Sequence, residues 1–521
     1  MKLYAMEPEI SSLEARLERT PPGDSLLAVK VALAWHLRQR DSARCLKLSQ
    51  DVVTLIGGSL PNALADANGE HLAYRARVAL AAGEAAALHC DFNAAERWLL
   101  DVRANMTPQG DVQAEGDAWL LESSIANARG QREREREALE HGIAFFARSD
   151  APERLAVARA WAAFERMLSL PDLQALAHQE PPGKAWPEAR IAWNAIWSAA
   201  QALALTHRDP GTAAALYKQA SAEARAVGLV QLDVMCIINA GLAVYDLGDR
   251  DLAAECFDLA EQRARATGWP SLVAISDTRI GELLSDLGAF EDSRRVLNGS
   301  IGVLATTSRG APLASACAAL ARTLVAMGLP EDALAPIGAA VDLHREAGLG
   351  SALAFALLFQ ARALTPVALP HRVLEVLDEA RLLIDQLGLH SLRIGLMDVL
   401  SDVHHRYPLE PPPDMTLATA ALHYAEAALS QGSRVDGWKA GAALYAFLAD
   451  RWAEAGDHSR AYGYATLALN ANEQETSQKM RYPLGLLRMR RRAEESAPSL
   501  AVAALQADER GGSANASGFH D

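Results

Sequence analysis

The 521-residue sequence has few aromatic residues, 6% of the chain, which argues against sheets, since these favour aromatic and β-branched side chains. Its cysteines, Cys45, Cys90, Cys236, Cys256 and Cys317, are odd in number and scattered without a CxxC pair. Neither a disulfide framework nor a zinc site follows from such spacing, and a reducing cytoplasm suits it. Basic residues are in deficit, with a formal net charge of −15; this opposes general affinity for nucleic acid or anionic lipid, which rests on clustered Lys and Arg. The first residues, MKLYAMEPEISSLEARLE, lack the basic start and apolar core of a secretion signal. A cytoplasmic location is therefore expected. No long apolar run exists either: the strongest, Ser351 to Leu364, is interrupted by Gln360 and Arg362 and falls short of the roughly 20 residues a membrane span requires. Strings that carry chemistry are also missing. No GxxxxGK[ST], HExxH or GxSxG occurs, and the nearest glycine cluster, Gly348-Leu-Gly350, lacks a third glycine. No catalytic residue, metal or cofactor is expected, and the chain does not read as an enzyme.

What the sequence does have is a repeat. Turn signals recur forty residues apart at Gly248, Gly288 and Gly328. A second series lies twenty residues further on, at Gly228, Gly268, Gly348 and Gly388, with Ser308 in the one gap. Two interleaved series mean a unit of helix, turn, helix, turn, with glycine leaving each helix through a left-handed conformation. Between the turns the spacing is helical: in LAAECFDLAEQRARATG, Leu252, Cys256, Leu259 and Ala260 fall at i, i+4, i+7 and i+8 and are expected to share an apolar face. Seven residues before each first turn stands a small residue, Gly241, Gly281 or Ala321, with Gly83 and Ala449 in more distant units. Five, nine and twelve after it the pattern is small, large, small: Ala253, Phe257 and Ala260; Ser293, Leu297 and Ser300; Ala333, Ile337 and Ala340. Such alternation lets neighbouring helices interlock.

The register places N-terminal repeats in 1–170, a Pro-rich connection in 171–190 (Pro171, Pro181, Pro182), and a central array in 191–406. A Pro-rich loop follows in 407–414, then a last unit with a terminal helix in 415–495, and a tail in 496–521 too poor in apolar residues to fold. The two Pro-rich segments are expected to mark subdomain boundaries.

The small, large, small alternation resembles the tetratricopeptide (TPR) pattern in a lengthened form of about forty residues, over roughly Ser25 to Asn470. The segment LAWHLRQRDSARCLKLSQD, Leu33 to Asp51, together with the long units and a terminal helix rich in Glu, Gln and Arg, is similar to TPR arrays in front of bacterial output domains such as GGDEF-type diguanylate cyclases. The resemblance implies an all-α right-handed α-solenoid that acts as a sensory or scaffolding stack in signalling. The GG[DE]EF motif itself is absent, so cyclase activity is not carried over. Three readings follow: a stand-alone protein that binds a protein or peptide, the regulatory part of a cyclase or kinase whose catalytic domain lies elsewhere, and a small-molecule sensor.

In TPR-like stacks the first helix of each pair lines a concave surface. The register then nominates Asn239 and Arg279, two positions before the small residue, and Glu282, Arg322 and Arg362, one position after it, with Tyr245 as an apolar wall. Asn and Arg can hold a peptide backbone or a carboxylate. The competing reading is a ladder within the chain, with Glu282 paired to Arg322. Other features have plainer explanations. His404-His405 point in different directions on a helix, and Trp193 and Trp197 suit a core. The run Arg132 to Glu137 reads as a solvated face with mixed ion pairs. Arg488, Arg490, Arg491 and Arg492 suit a solvated helix end or coiled-coil flank, through which a homodimer could form.

Overall fold

The structure is a computed structural model, and it describes residues 2–58, 69–106, 112–169, 176, 179–308, 310–413, 415–435 and 437–481. Pro171, Asp414, Pro483, the arginines at 488–492 and the tail 496–521 lie outside the described residues. Among the described residues there are twenty-two helices and no strand. In the first part they are α1 (Glu7–Arg19), α2 (Asp24–Leu37), α3 (Ser42–Gly58), α4 (Gly69–Leu88), α5 (Phe92–Met106), α6 (Val112–Ala128), α7 (Arg132–Phe146) and α8 (Pro152–Ser169). The register-perfect part holds α9 (Pro187–Leu205), α10 (Pro210–Val227), α11 (Val230–Asp246), α12 (Arg250–Thr267), α13 (Pro270–Asp286), α14 (Phe290–Thr307), α15 (Ala311–Ala326), α16 (Pro330–Glu346), α17 (Gly350–Leu364) and α18 (Pro370–Leu387). The last are α19 (His390–Arg406), α20 (Ala420–Gly432), α21 (Ala442–Glu454) and α22 (His458–Arg481).

The helices pack as consecutive hairpins, and the inner helices α11, α13, α15, α17 and α19 also touch one another in succession. The fold is an all-helical solenoid. Helix α8 packs against both α7 and α9, and Leu176 of the Pro-rich connection is buried against Ala163 and Met167 of α8 and Ala200 and Ala204 of α9. One hydrophobic cluster runs from Leu3 to Leu284 across that connection.

Local chemistry explains the hairpins. The turn glycines at 228, 248, 268, 288, 328, 348 and 388 all have positive φ, the left-handed conformation that ends a helix at little cost only without a Cβ. Outer helices α10 and α12 start on aspartates, Asp209 and Asp249, whose carboxylates accept from the amides of Thr212 and Leu252. At the small position, a Cβ added to Gly241 would lie 2.5 Å from the ring of Phe257, and one added to Gly281 would lie 2.7 Å from Leu297. The large residue of each outer helix therefore seats on the missing side chain of its inner partner. Ala253, Ala260, Ser293, Ser300, Ala333 and Ala340 are all 0% exposed; the small flanks are closed.

Two expectations need correction. Leu259 is 37% exposed while Ala253, Phe257, Ala260 and Ala264 are buried. The buried stripe of α12 is thus rotated by about a third of a turn from the line through Leu252 and Leu259, because outer helices dock through the small, large, small set. The run Arg132 to Glu137 is not simply a solvated face: Glu135 is buried and accepts from Asn127 and from Arg132, at 3.1 Å in the latter case, while Arg132 also reaches Glu165 on α8 at 2.6 Å.

The solenoid winds tightly enough that successive superhelical turns touch. Arg40 donates to the carbonyl of Ala226 (3.1 Å), Trp269 Nε1 to Ser42 Oγ (2.9 Å), and the amide of Ser391 to the carbonyl of His207 (3.1 Å). Cys90 Sγ lies 3.2 Å from Ser271 Oγ, and Leu247 packs into the cluster of Ile394, Ala428 and Val435. Several of these partners are 181 to 186 residues apart, so one superhelical turn takes about four and a half units. Cys90, at φ 62, is the one non-glycine with positive φ among the described residues; it occupies a turn position of the repeat and faces the neighbouring superhelical turn.

Gly241→Val should destabilise the chain by about 1–3 kcal/mol through overpacking against Phe257, whereas Gly302→Ala, with nothing within 4 Å of the new Cβ, should stabilise it by about 0.5–1 kcal/mol. Urea midpoints for the two variants should move in opposite directions. A second measurement concerns acid. Burial pushes the imidazoles of His344 and His207 down to about 4. Each is neutral in the fold and has a higher pKa when unfolded, so its contribution to stability is full above pH ~6.5 and lost as pH falls toward ~4. His344→Leu should flatten the urea midpoint over that window, and an unchanged pH profile would refute the assignment.

Candidate functional site: the concave face

The inner helices bring four of the six nominated residues into one network. Tyr245, near the end of α11, donates its hydroxyl proton to Asp286 of α13 and accepts from Arg322 Nη2 of α15 at 3.0 Å. Arg322 Nη1 donates to Glu282 Oε1 at 3.2 Å, and Arg279 Nη1 to Glu282 Oε2 at 2.6 Å. Arg362 joins through an aromatic bridge: the ring of Phe359 lies 5.2 Å from the Arg322 guanidinium and 5.8 Å from that of Arg362. Arg362 in turn donates to Asp398 Oδ2 of α19 at 2.6 Å. Asn239 is half-buried on α11, and among the described residues no hydrogen bond joins it to this network.

The repeat itself positions these groups. Glu282, Arg322 and Arg362 each stand six residues before their turn, so one register position on successive inner helices projects onto one stripe. Phe359 continues the row of Asn239 and Arg279. Asp286 and Asp246 stand two before Gly288 and Gly248. That last row has a register signal, an aspartate repeated forty residues apart, that the positions flanking the small residue do not include. Asp398 carries no comparable signal; only tertiary packing sets it against Arg362.

Enclosure shapes the electrostatics. Burial pushes the Tyr245 phenol up, so it stays protonated and serves as a donor to Asp286. Burial by itself would lower the Arg322 pKa, but Tyr245, Glu282 and Asp286 outweigh it and hold the guanidinium charged. Asp246 is exposed, and the protein crowded around it, reinforced by Glu282 and opposed by Arg322, acts to raise its carboxyl pKa. The side chains of Arg362 and Asp398 remain 43% and 45% exposed. The stripe thus has a paired centre around Arg322 and two open ends, Asp246 on α11 and the Arg362–Asp398 pair on α17 and α19. Exposed pairs of this kind are worth at most about 1 kcal/mol, so an incoming carboxylate or guanidinium can compete for them.

Other sequence features fall elsewhere. His404 lies against Tyr424 at 5.1 Å, and His405 packs edge-on to Phe447 and hydrogen-bonds Arg451. Trp193 is buried and stacks on Trp197 at 5.0 Å. Among the described residues no group of His, Cys, Asp and Glu has the arrangement of a metal site, and no helix is long and apolar enough to cross a membrane.

No family model and no curated protein sequence matches the chain. Solved structures do. A Rap protein complexed with competence and sporulation factor is 10% identical, with a TM-score of 0.52 over 70% of this chain and 99% of that one. The Rap conjugation gene regulator of plasmid pLS20 in complex with the Phr* peptide is 11% identical, with a TM-score of 0.43 over 70% of this chain and 96% of that one. Yeast Tom70 is 14% identical, with a TM-score of 0.32 over 92% of this chain and 99% of that one. At such identities the likeness is one of fold. The chain is a TPR-like helical-repeat solenoid.

Arg322→Ala should cost about 1.5–3 kcal/mol, because it removes the donor to the enclosed Tyr245 hydroxyl and leaves Glu282 with Arg279 alone and Asp286 with Arg250 alone, whereas Arg362→Ala should change stability by less than about 0.5 kcal/mol. Equal urea midpoints for the two variants would contradict the division into a structural centre and open ends.

Proposed function

We propose that the chain is a non-catalytic partner-binding protein whose concave face takes a protein or peptide segment, in the manner of a sensory or regulatory scaffold in bacterial signalling. The observation that carries this reading is the exposed Arg362–Asp398 pair beside the ring of Phe359, with the exposed Asp246 at the α11 end of the same stripe, so that both charge signs are offered along it. A main chain or a charged side chain entering the lumen meets donors and acceptors spaced by the repeat, next to an aromatic surface. Asn239, Tyr245, Arg279, Glu282, Arg322 and Arg362 line this face, with Arg279, Glu282 and Arg322 supporting the residues that make contact. The Rap protein of similar fold was solved with competence and sporulation factor bound, and this supports the use of such a solenoid as a receptor.

The test is site-specific photo-crosslinking in cells, from position 362 on the concave face and from position 382, where Leu382 is 58% exposed on an outer helix. A discrete partner should be captured from 362 and not from 382. With that partner purified, Arg362→Glu should weaken binding about tenfold, a loss of ~1.4 kcal/mol. The same capture from both positions, or none from 362, would rule out the concave face as the contact surface.

A further inference from the structure

The inner face of the first superhelical turn already holds a peptide. Residues Lys2 to Met6 are not helical, yet Leu3, Tyr4 and Ala5 are only 7%, 6% and 3% exposed. Their backbone is read by side chains of the solenoid and not by a neighbouring strand. Trp35 Nε1 donates to the carbonyls of Lys2 (3.1 Å) and Leu3 (3.2 Å), Arg38 Nη2 to the carbonyl of Leu3 (3.5 Å), and Arg40 Nη2 to the carbonyl of Ala5 (2.7 Å). Lys2 reaches Glu188 on α9 at 3.0 Å.

Tyr4 is part of the first-turn core cluster, with the Arg38 guanidinium 5.6 Å from the centre of its ring. Besides Arg38, which follows α2, the charges near enough to act on its hydroxyl are Glu84 on α4, Arg154 on α8 and Asp117 on α6. These groups are themselves locked together: Arg38 Nε donates to Glu84 at 2.8 Å, Arg154 Nε to Asp117 at 3.0 Å, and Arg77 pairs with Asp117. Glu84 stands six residues before its turn residue, Cys90, as Glu282 stands before Gly288. The socket is therefore the first-turn counterpart of the stripe around Arg322, with one difference: an extended segment occupies it.

We propose that this inner face is a second site, specific for an extended peptide that carries a tyrosine, and that Lys2–Ala5 is its tethered occupant, exchangeable for such a peptide supplied in trans. Recognition divides into two parts. The donors of Trp35, Arg38 and Arg40 contact carbonyls that any sequence possesses, so they fix an extended backbone. The side chain is selected by the place Tyr4 fills, 6% exposed with the Arg38 guanidinium against its ring. Arg40 also links occupancy to the packing of successive turns, since the same Nη2 that holds Ala5 donates to Ala226. The Cα of Gly228 faces that guanidinium so closely that an added Cβ would lie 2.4 Å from Arg40 Nε.

The inference rests on reading the concave face as a binding surface, but its test uses first-turn residues alone, so the crosslinking from position 362 can fail or succeed independently of it. A fluorescein-labelled peptide of sequence MKLYAME is titrated by anisotropy against the full chain, a chain lacking residues 2–5, and the full chain carrying Tyr4→Ala. Both variants should bind it, and the full chain should bind at least about a hundredfold more weakly, because the tethered segment competes at high effective concentration. The same peptide with alanine for tyrosine should not bind the variants. Folded variants that take up no peptide, or that take up both peptides equally, overturn the proposal. If the shortened chain loses its helical circular dichroism, recovery on adding the peptide supports the proposal, and no recovery overturns it.

Discussion

The close approach of the two helices in each hairpin, made possible by a missing or minimal side chain on the inner helix, is the constraint on which the rest depends. Phe257 seats on Gly241 and Leu297 on Gly281, and the flanking alanines and serines leave no gap between layers. A large residue at the small position would push the hairpins apart, and the error would accumulate along the stack, because each unit is placed only by its neighbours. Close packing sustained from α9 to α18 holds the winding tight, so that contacts form between residues 181 to 186 apart in the chain. A solenoid is usually held by nearest neighbours alone; this one gains a second set of contacts between turns.

Those contacts give the concave face its character. Side chains that would line an open groove are enclosed in a lumen, where the dielectric is low and charges must be paired. Arg322 illustrates the outcome: it has Tyr245, Glu282 and Asp286 as partners and a phenylalanine ring below it. Arg154 and Arg77 clasp Asp117 in the other turn in the same way. What enclosure leaves open are the groups at the ends of the second-turn stripe, while the first turn is filled by Lys2 to Ala5.

Much of this was readable from the residues. The forty-residue step of glycines located the turns, and the positive φ angles at 228, 248, 268, 288, 328, 348 and 388 stand where that step places them. The small, large, small pattern identified the docking surface of the outer helices. Where pattern reasoning went astray, competition between faces was the cause. Leu252 and Leu259 have helical spacing with Cys256, but the buried stripe follows the smaller residues, because these permit closer approach and a leucine at the margin can remain partly exposed. Glu135 looked solvated from its alternating neighbours, yet α8 covers it.

By itself, then, the sequence determined that the chain is all-helical, where each hairpin turns, and which register positions recur on successive inner helices, because these depend on local backbone preference and on periodicity within a single unit. Only the tertiary structure decided which of the inward side chains are paired and which stay open, and that Lys2 to Ala5 lie inside the first turn. Those outcomes depend on how many units complete one superhelical turn. That number is set by small rotations at every hairpin interface, summed over more than a hundred and eighty residues, and no stretch of sequence short enough to show a pattern contains it.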